Sequence, residues 1–207
     1  MTSPVAAARV PVVCGTTKAD EGLLVISPVA AARVPGPEEA WVGLGSNLGD
    51  RAGHLHRALG GLRPWIVAES PVFETEPWGI REQPWFLNMV VRLSWTAPAR
   101  DLLALCLEVE LERGRVRDVR NGPRTLDLDV LLLGDERIDE PGLTIPHPGI
   151  ASRRSVLDPW ALVAPELLVP GVGMTIGALA ARARALPGQA VRPAPGDPET
   201  LAGTIGG

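Results

Sequence analysis

Apolar and polar positions fall into a readable pattern from Ala40 onward. Trp41, Val42 and Leu44 read as a short strand that runs into a glycine-rich turn spanning Gly43 to Gly49. Asp50 is placed to N-cap a helix whose apolar stripe is Leu55, Leu59 and Leu62. Ile66 to Phe73 predicts a second strand, and Glu74 to Pro84, with Pro77, Gly79 and Pro84, predicts a loop. Phe86 to Trp95 alternates as a third strand. Pro98 then opens the strongest helix, with Leu102, Leu105, Cys106 and Val109 on its apolar side. Beyond an arginine-rich loop, Thr125 to Leu133 predicts a fourth strand that stops at Gly134. Leu157 to Leu168 reads as a helix interrupted at Pro165, and Ile176 to Leu186 as one weak amphipathic helix.

The order strand–helix–strand–strand–helix–strand is the split βαβ arrangement of an α+β, ferredoxin-like βαββαβ sandwich, here with extra C-terminal helices. It predicts an antiparallel sheet with helices on one face and the other face open to ligands. Upstream, Ser3–Pro11 reads SPVAAARVP, and Ser27–Pro35 repeats the same letters. Two copies are too few for a solenoid, and Pro35-Gly36-Pro37 ends the stretch with breaker residues. The expected division is a non-core N-terminal extension over residues 1–39, a catalytic domain over 40–170 and a C-terminal tail over 171–207.

Composition narrows the function classes. A chain of 207 residues holds one domain with a full core and leaves room for tails. A net charge of −4 speaks against nucleic acid held by bulk electrostatics. Arginines nevertheless cluster between Arg113 and Arg124 and at Arg153 and Arg154, a local basic rim suited to a small polyanion such as a nucleotide. Cys14 and Cys106 form neither a disulfide framework nor a metal motif. No apolar run approaches the roughly 18 residues that span a bilayer, so a cytoplasmic monomer without membrane or nucleic-acid partners is expected.

The fourth strand carries the strongest chemical signal. Side chains alternate with a period of two, so Asp127 and Asp129 share one face while Leu126, Leu128 and Val130 take the other. Two like charges on one face of an apolar strand need compensation. A hard divalent cation with phosphate ligands supplies it; salt bridges to neighbouring arginines are the alternative. Arg115 and Arg117 in the preceding loop, and Arg124 before the strand, present guanidinium forks that match phosphate oxygens.

The run Arg120-Asn121-Gly122-Pro123-Arg124-Thr125-Leu126-Asp127-Leu128-Asp129 resembles the signature of the 6-hydroxymethyl-7,8-dihydropterin pyrophosphokinase family. Further runs resemble it in the family's order: Gly43 to Leu48, Phe73 to Gly79, Gln83 to Asn88, Glu110 to Arg117, Leu143 to Pro148 and Ala164 to Leu167. The resemblance covers about Ala40 to Val169. It implies an ATP-dependent diphosphotransferase of folate biosynthesis, with two Mg²⁺ ions on Asp127 and Asp129. It also implies Arg115 and Arg117 as catalytic phosphate-side arginines. Glu110, Arg124, Thr144, His147 and Arg153 then belong to the ATP side, and Thr75, Trp78, Phe86 and Asn88 to the pterin side. Two departures bear on the pterin: Ser155 stands where the family usually has a stacking aromatic, and Glu76 where many relatives have proline. A catalytically silent binding module and a magnesium-dependent phosphohydrolase are the competing readings.

Overall fold

Strand β1 (Glu38–Ser46) pairs on both edges and so runs through the middle of the main sheet. The structure, a computed structural model, describes residues 38–112, 122–186 and 188–194. After β1 come α1 (Arg51–Leu62), β2 (Ile66–Glu69), β3 (Phe73–Thr75) and β4 (Phe86–Trp95). Then follow α2 (Ala99–Leu111), β5 (Asp127–Leu133), β6 (Ile138–Glu140) and β7 (Leu143–Ile145). The described chain ends with α3 (Arg154–Val163), α4 (Ile176–Arg184) and β8 (Val191–Pro193). The main sheet has the order β5-β1-β4-β3-β8, with β2 also on β4, and its pairings are all antiparallel. β6 and β7 form a separate hairpin. The architecture is therefore mixed α and β, an antiparallel sheet with several helices.

Local sequence explains most boundaries. Asp50 caps α1 by accepting from Gly53 N at 2.9 Å, and Thr175 caps α4 by accepting from Ala178 N at 3.2 Å. The expected strand over Ile66 to Phe73 is two strands. Pro71 has no N–H for a ladder, and Ser70 turns its hydroxyl to accept from Val90 N at 2.9 Å. α3 starts three residues earlier than its apolar pattern, at Arg154, and ends at Val163. Pro165 disfavours helical backbone at the residue before it, and Ala164 has φ −149°.

Alternation along the strands builds two cores. Val42, Leu44, Met89 and Val91 pack against α1 and α2 through Leu55, Leu59, Leu62, Leu102, Cys106 and Val109. Each full burial of such a side chain contributes about 1.5–3 kcal/mol. The helices approach closely at Gly61, where a Cβ would stand 2.8 Å from Val109 Cγ2. Trp41 and Val90 point the other way, toward Leu157 and Trp160 of α3 and Ile176, Leu179 and Ala180 of α4. On β5 the register shifts between Val130 and Leu132, so Leu131 and Leu132 both join this second core while Leu133 returns to the first.

The second face of the sheet is thus covered, not open as the strand pattern suggested. Trp41 and Trp160 meet with ring centroids 5.3 Å apart. Asp158 fastens the two covering helices by accepting from Arg154 Nη2 at 2.8 Å and Arg184 Nε at 2.7 Å. What remains accessible is the end of the sheet where β1, β4 and β5 carry Gly43, Gly45, Asn88, Asp127 and Asp129.

Candidate active site

The acidic half follows from the alternation of β5. Asp127 and Asp129 are partly exposed while Leu128 and Val130 are buried between sheet and helices. Opposite them on β1 stand glycines: Gly45 pairs with Asp127 and Gly43 with Asp129. A Cβ on Gly45 would lie 2.7 Å from Asn88 Oδ1, so glycine keeps that oxygen clear. Asp127, Asp129 and Asn88 consequently share one cavity of about 640 Å³. Thr75, Trp78, Phe86, Glu110, Arg124, Thr144, His147, Arg153 and Ser155 line it as well.

Arg124 is fixed before it meets Asp127. Asn47 Oδ1 accepts from Arg124 N at 2.7 Å, Asn47 N donates to Arg124 O at 3.1 Å, and Ser46 Oγ donates to Thr125 O at 2.6 Å. From there Arg124 Nη1 reaches Asp127 Oδ2 at 2.7 Å. Its guanidinium also lies 5.9 Å from the Phe86 ring centroid, so one arginine touches both halves of the cavity.

Asp129 is held more loosely. Arg153 Nη1 is 3.7 Å and the imidazole Nε2 of His147 4.0 Å from its Oδ2. Burial, reinforced by the charge of Asp127, pushes the Asp129 carboxyl above the usual carboxylate range. Burial moves His147 downward. Gly149 N donates to His147 Nδ1 at 3.0 Å, which places the proton of the neutral ring on Nε2, toward Asp129. Among the described residues no group of three or more His, Cys, Asp or Glu is arranged to hold a metal alone. Two adjacent carboxylates in a basic rim instead suit a hard cation that completes its shell with phosphate and water.

The other half is tied down by hydrogen bonds. Asn88 Nδ2 donates to Thr75 Oγ1 at 2.7 Å across the β3–β4 ladder. The loop between those strands is anchored from the β1–α1 turn and from α1: Asn47 Nδ2 donates to Gln83 Oε1 and Pro84 O, both at 3.0 Å, and Arg51 Nη1 donates to Trp85 O at 2.5 Å. Trp78, in that loop, is 50% exposed at the cavity rim. Beneath it Glu74 accepts from Arg192 Nη2 at 2.6 Å and Arg51 Nη2 at 2.9 Å. These bonds, the Arg192 bond foremost, hold its carboxyl below the usual range in spite of burial.

The family model for 7,8-dihydro-6-hydroxymethylpterin-pyrophosphokinase (HPPK) matches residues 41–165. The chain belongs to this family. HPPK proteins are ATP-dependent pyrophosphotransferases of folate biosynthesis acting on small molecules. The 2-amino-4-hydroxy-6-hydroxymethyldihydropteridine pyrophosphokinase of Methylorubrum extorquens is 40% identical over 138 residues, 64% of this chain and 86% of the relative. The protein of the same name from Pseudomonas aeruginosa is 42% identical over 137 residues, 64% of this chain and 85% of the relative. A solved Plasmodium falciparum HPPK-DHPS structure superposes with a TM-score of 0.58 at 13% identity. It covers 73% of this chain, which spans only 46% of that longer protein; the likeness is one of fold.

All the residues expected on the HPPK signature that are described line the one cavity: Thr75, Trp78, Phe86, Asn88, Glu110, Arg124, Asp127, Asp129, Thr144, His147 and Arg153. Arg115 and Arg117 lie outside the described residues. Glu110 is 2% exposed, and its Oε1 accepts from Leu128 N at 2.8 Å, bracing β5 from α2. Sequence reasoning missed the organising roles of Asn47, Arg51, Gln189 and Arg192. Asn47 offered a signal, an amide within the glycine-rich turn, whereas Arg192 sits in a Pro- and Ala-rich stretch with no pattern to mark it. No helix among the described residues is long and apolar enough to cross a membrane.

Proposed function

We propose that the chain transfers pyrophosphate from ATP to 6-hydroxymethyl-7,8-dihydropterin, with Asp127 and Asp129 holding two Mg²⁺ ions. The supporting observation is the convergence, in one cavity, of two alternate carboxylates on β5 with the Thr75–Asn88 pair on β3 and β4. In this reading the hydroxymethyl oxygen bonds to the β-phosphorus and its proton passes to solvent, the bond from that phosphorus to the α–β bridging oxygen breaks, and AMP leaves. Bound magnesium would neutralise phosphate charge and orient the chain of phosphates.

The protein's own side chains divide the remaining work. Arg124, Arg153, Arg115 and Arg117 take phosphate oxygens, and Thr144 and His147 donate to the nucleotide, His147 through its Nε2–H. Glu110 serves the ATP side by holding β5 in place. Asn88 reads the pterin edge: with Nδ2 committed to Thr75, its Oδ1 accepts from a pterin N–H. Phe86 and Trp78 supply apolar faces for the ring. Alignment of the two substrates, rather than a side-chain base, carries the rate.

We also read the described core as ferredoxin-like, because β5-β1-β4 with β2 and β3 beside β4 gives the split βαβ order. Residues 1–37 are taken to lie outside the catalytic unit, which acts as a cytoplasmic monomer without nucleic-acid partners. Glu38 and Glu39, expected in the extension, already pair within β1, and α4 and β8 carry the packed unit past the expected bound at residue 170. The test is AMP formation by the purified chain from ATP, Mg²⁺ and the pterin alcohol. Pterin-dependent AMP is expected; phosphate release independent of pterin would replace the transferase by a hydrolase, and binding without products would leave a silent module. A chain lacking residues 1–37, which precede β1, should keep its activity.

A further inference from the structure

The HPPK match ends at residue 165, yet Gln189 lines the cavity beside Thr75 and Ser155. The Gln189 side chain is nearly buried, at 8% exposure, and it lies between two backbones. Its Nε2 donates to Glu76 O at 2.5 Å, and its Oε1 accepts from Ser155 N at 3.1 Å. Its own carbonyl accepts from Arg154 Nη1 at 3.1 Å. The next residue fastens the same loop: Glu76 N donates to Ala190 O at 2.9 Å, and Ala190 N donates to Glu76 Oε2 at 3.1 Å. From there β8 continues along β3, with Val191 opposite Thr75.

An amide side chain has a donor end and an acceptor end, and here each is spent on main chain from a different element. Glu76 begins the loop after β3, and Ser155 lies in the first turn of α3. An apolar residue at 189 would leave Glu76 O and Ser155 N without these partners, at the cost attached to unpaired buried groups. The two residues so joined are the chain's two departures from the pterin-side pattern. A proline at 76 could not donate to Ala190, and Ser155 brings no ring to its wall.

We propose that Gln189 is a positioning residue for the pterin, its amide setting the spacing between the Glu76 loop and the Ser155 end of α3. This wall is then held by hydrogen bonds from the C-terminal segment in place of a side-chain ring at position 155. The proposal rests on the pterin reading of the Thr75–Asn88 end of the cavity.

Steady-state AMP formation by the full chain and by Gln189→Ala tests it. The KM for the pterin alcohol should rise about tenfold, as loss of one or two such bonds implies, while the KM for ATP stays within about twofold. A merely structural role would move both constants together, or neither. Gln189→Glu keeps the acceptor for Ser155 N and loses the donor to Glu76 O. Its carboxylate oxygen then faces the Glu76 carbonyl oxygen, so its pterin KM should rise at least as far, and it carries the test if the alanine variant fails to fold. An unchanged pterin KM in the folded variants, or an ATP KM rising in step, overturns the assignment of Gln189. Absence of pterin-dependent AMP in the unsubstituted chain overturns the underlying pterin reading instead, before any substitution is compared.

Discussion

Glu74 on β3 and Asp129 on β5 are carboxylates of the same sheet whose surroundings separate framework from site. Glu74 is grasped from two sides by Arg51 and Arg192 at 2.9 and 2.6 Å, and Arg192 also stacks 4.6 Å from the Trp85 ring centroid. Its charge is answered within the protein, and its carboxyl is held low. Asp129 has the Arg153 guanidinium at 3.7 Å, the neutral His147 ring at 4.0 Å and Asp127 as a like-charged neighbour, and its carboxyl is held high. A carboxylate that the fold neutralises stabilises the fold; one left against a like charge in a basic rim is poised for a ligand cation.

The sharpest way to break this contrast is to neutralise each carboxylate in turn. Asp129→Asn should lower turnover by about a thousandfold or more, the scale set by removing a group that acts in the transition state. Its melting midpoint should match or exceed that of the unsubstituted chain, because the repulsion between Asp127 and Asp129 is relieved. The extra melting stability given by Mg²⁺ and ATP should vanish with it. A near-normal rate, or a clear loss of stability without ligands, would remove Asp129 from the site and place it in the framework.

Glu74→Gln should behave in the opposite sense. Breaking a buried pair costs about 3–5 kcal/mol, but Arg192 is 63% and Arg51 28% exposed, so solvent reduces this to about 2 kcal/mol. Urea unfolding measures that loss directly, and turnover at saturating substrates should fall less than about tenfold. Acid unfolding gives the same contrast by another route. The folded-state value of Glu74 lies below its ordinary 4.5. Its stabilisation is therefore complete above that value and is lost as pH falls through the lower folded one. Glu74→Gln should flatten the acid limb of the stability profile, and an unchanged limb would show that the two arginines do not stabilise this charge.

The two carboxylates were also unequally legible. Asp129 announced itself, because a second aspartate two positions from the first in an apolar strand is a conflict that a bound cation or neighbouring arginines must resolve. The long elements were legible for a related reason. α1, α2, β4 and β5 carry enough periodic apolar positions for the period to be read, down to Leu55, Leu59 and Leu62 in the core. Glu74 gave no such signal: it looked like the start of a polar loop, and its partner Arg192 is 118 positions away. β6, β7 and β8 have three residues each, too few to show alternation, and β8 is a strand only because β3 offers it an edge. The covering of the second face was hidden similarly. Ile176, Leu179, Ala180 and Ala183 make a weak stripe, and their burial depends on Trp41 and Trp160 across the sheet.

Cys106 offers the smallest and cleanest probe of how far Asp129 reaches. It lies on α2 in the core behind β5 and is fully buried. Burial first, and then the charges of Glu110 and Asp129, push its thiol up to about 12. At pH 8 only about one molecule in 10⁴ then carries the reactive thiolate. In a Cys14→Ala background, a maleimide reagent should leave Cys106 unlabelled over hours and modify it at once in urea. Adding Asp129→Asn should speed native labelling by no more than about threefold, since burial outweighs the two charges. A much larger acceleration would mean that the field of Asp129 penetrates the first core, and that the substitution had loosened β5 against α2 as well as neutralising the site.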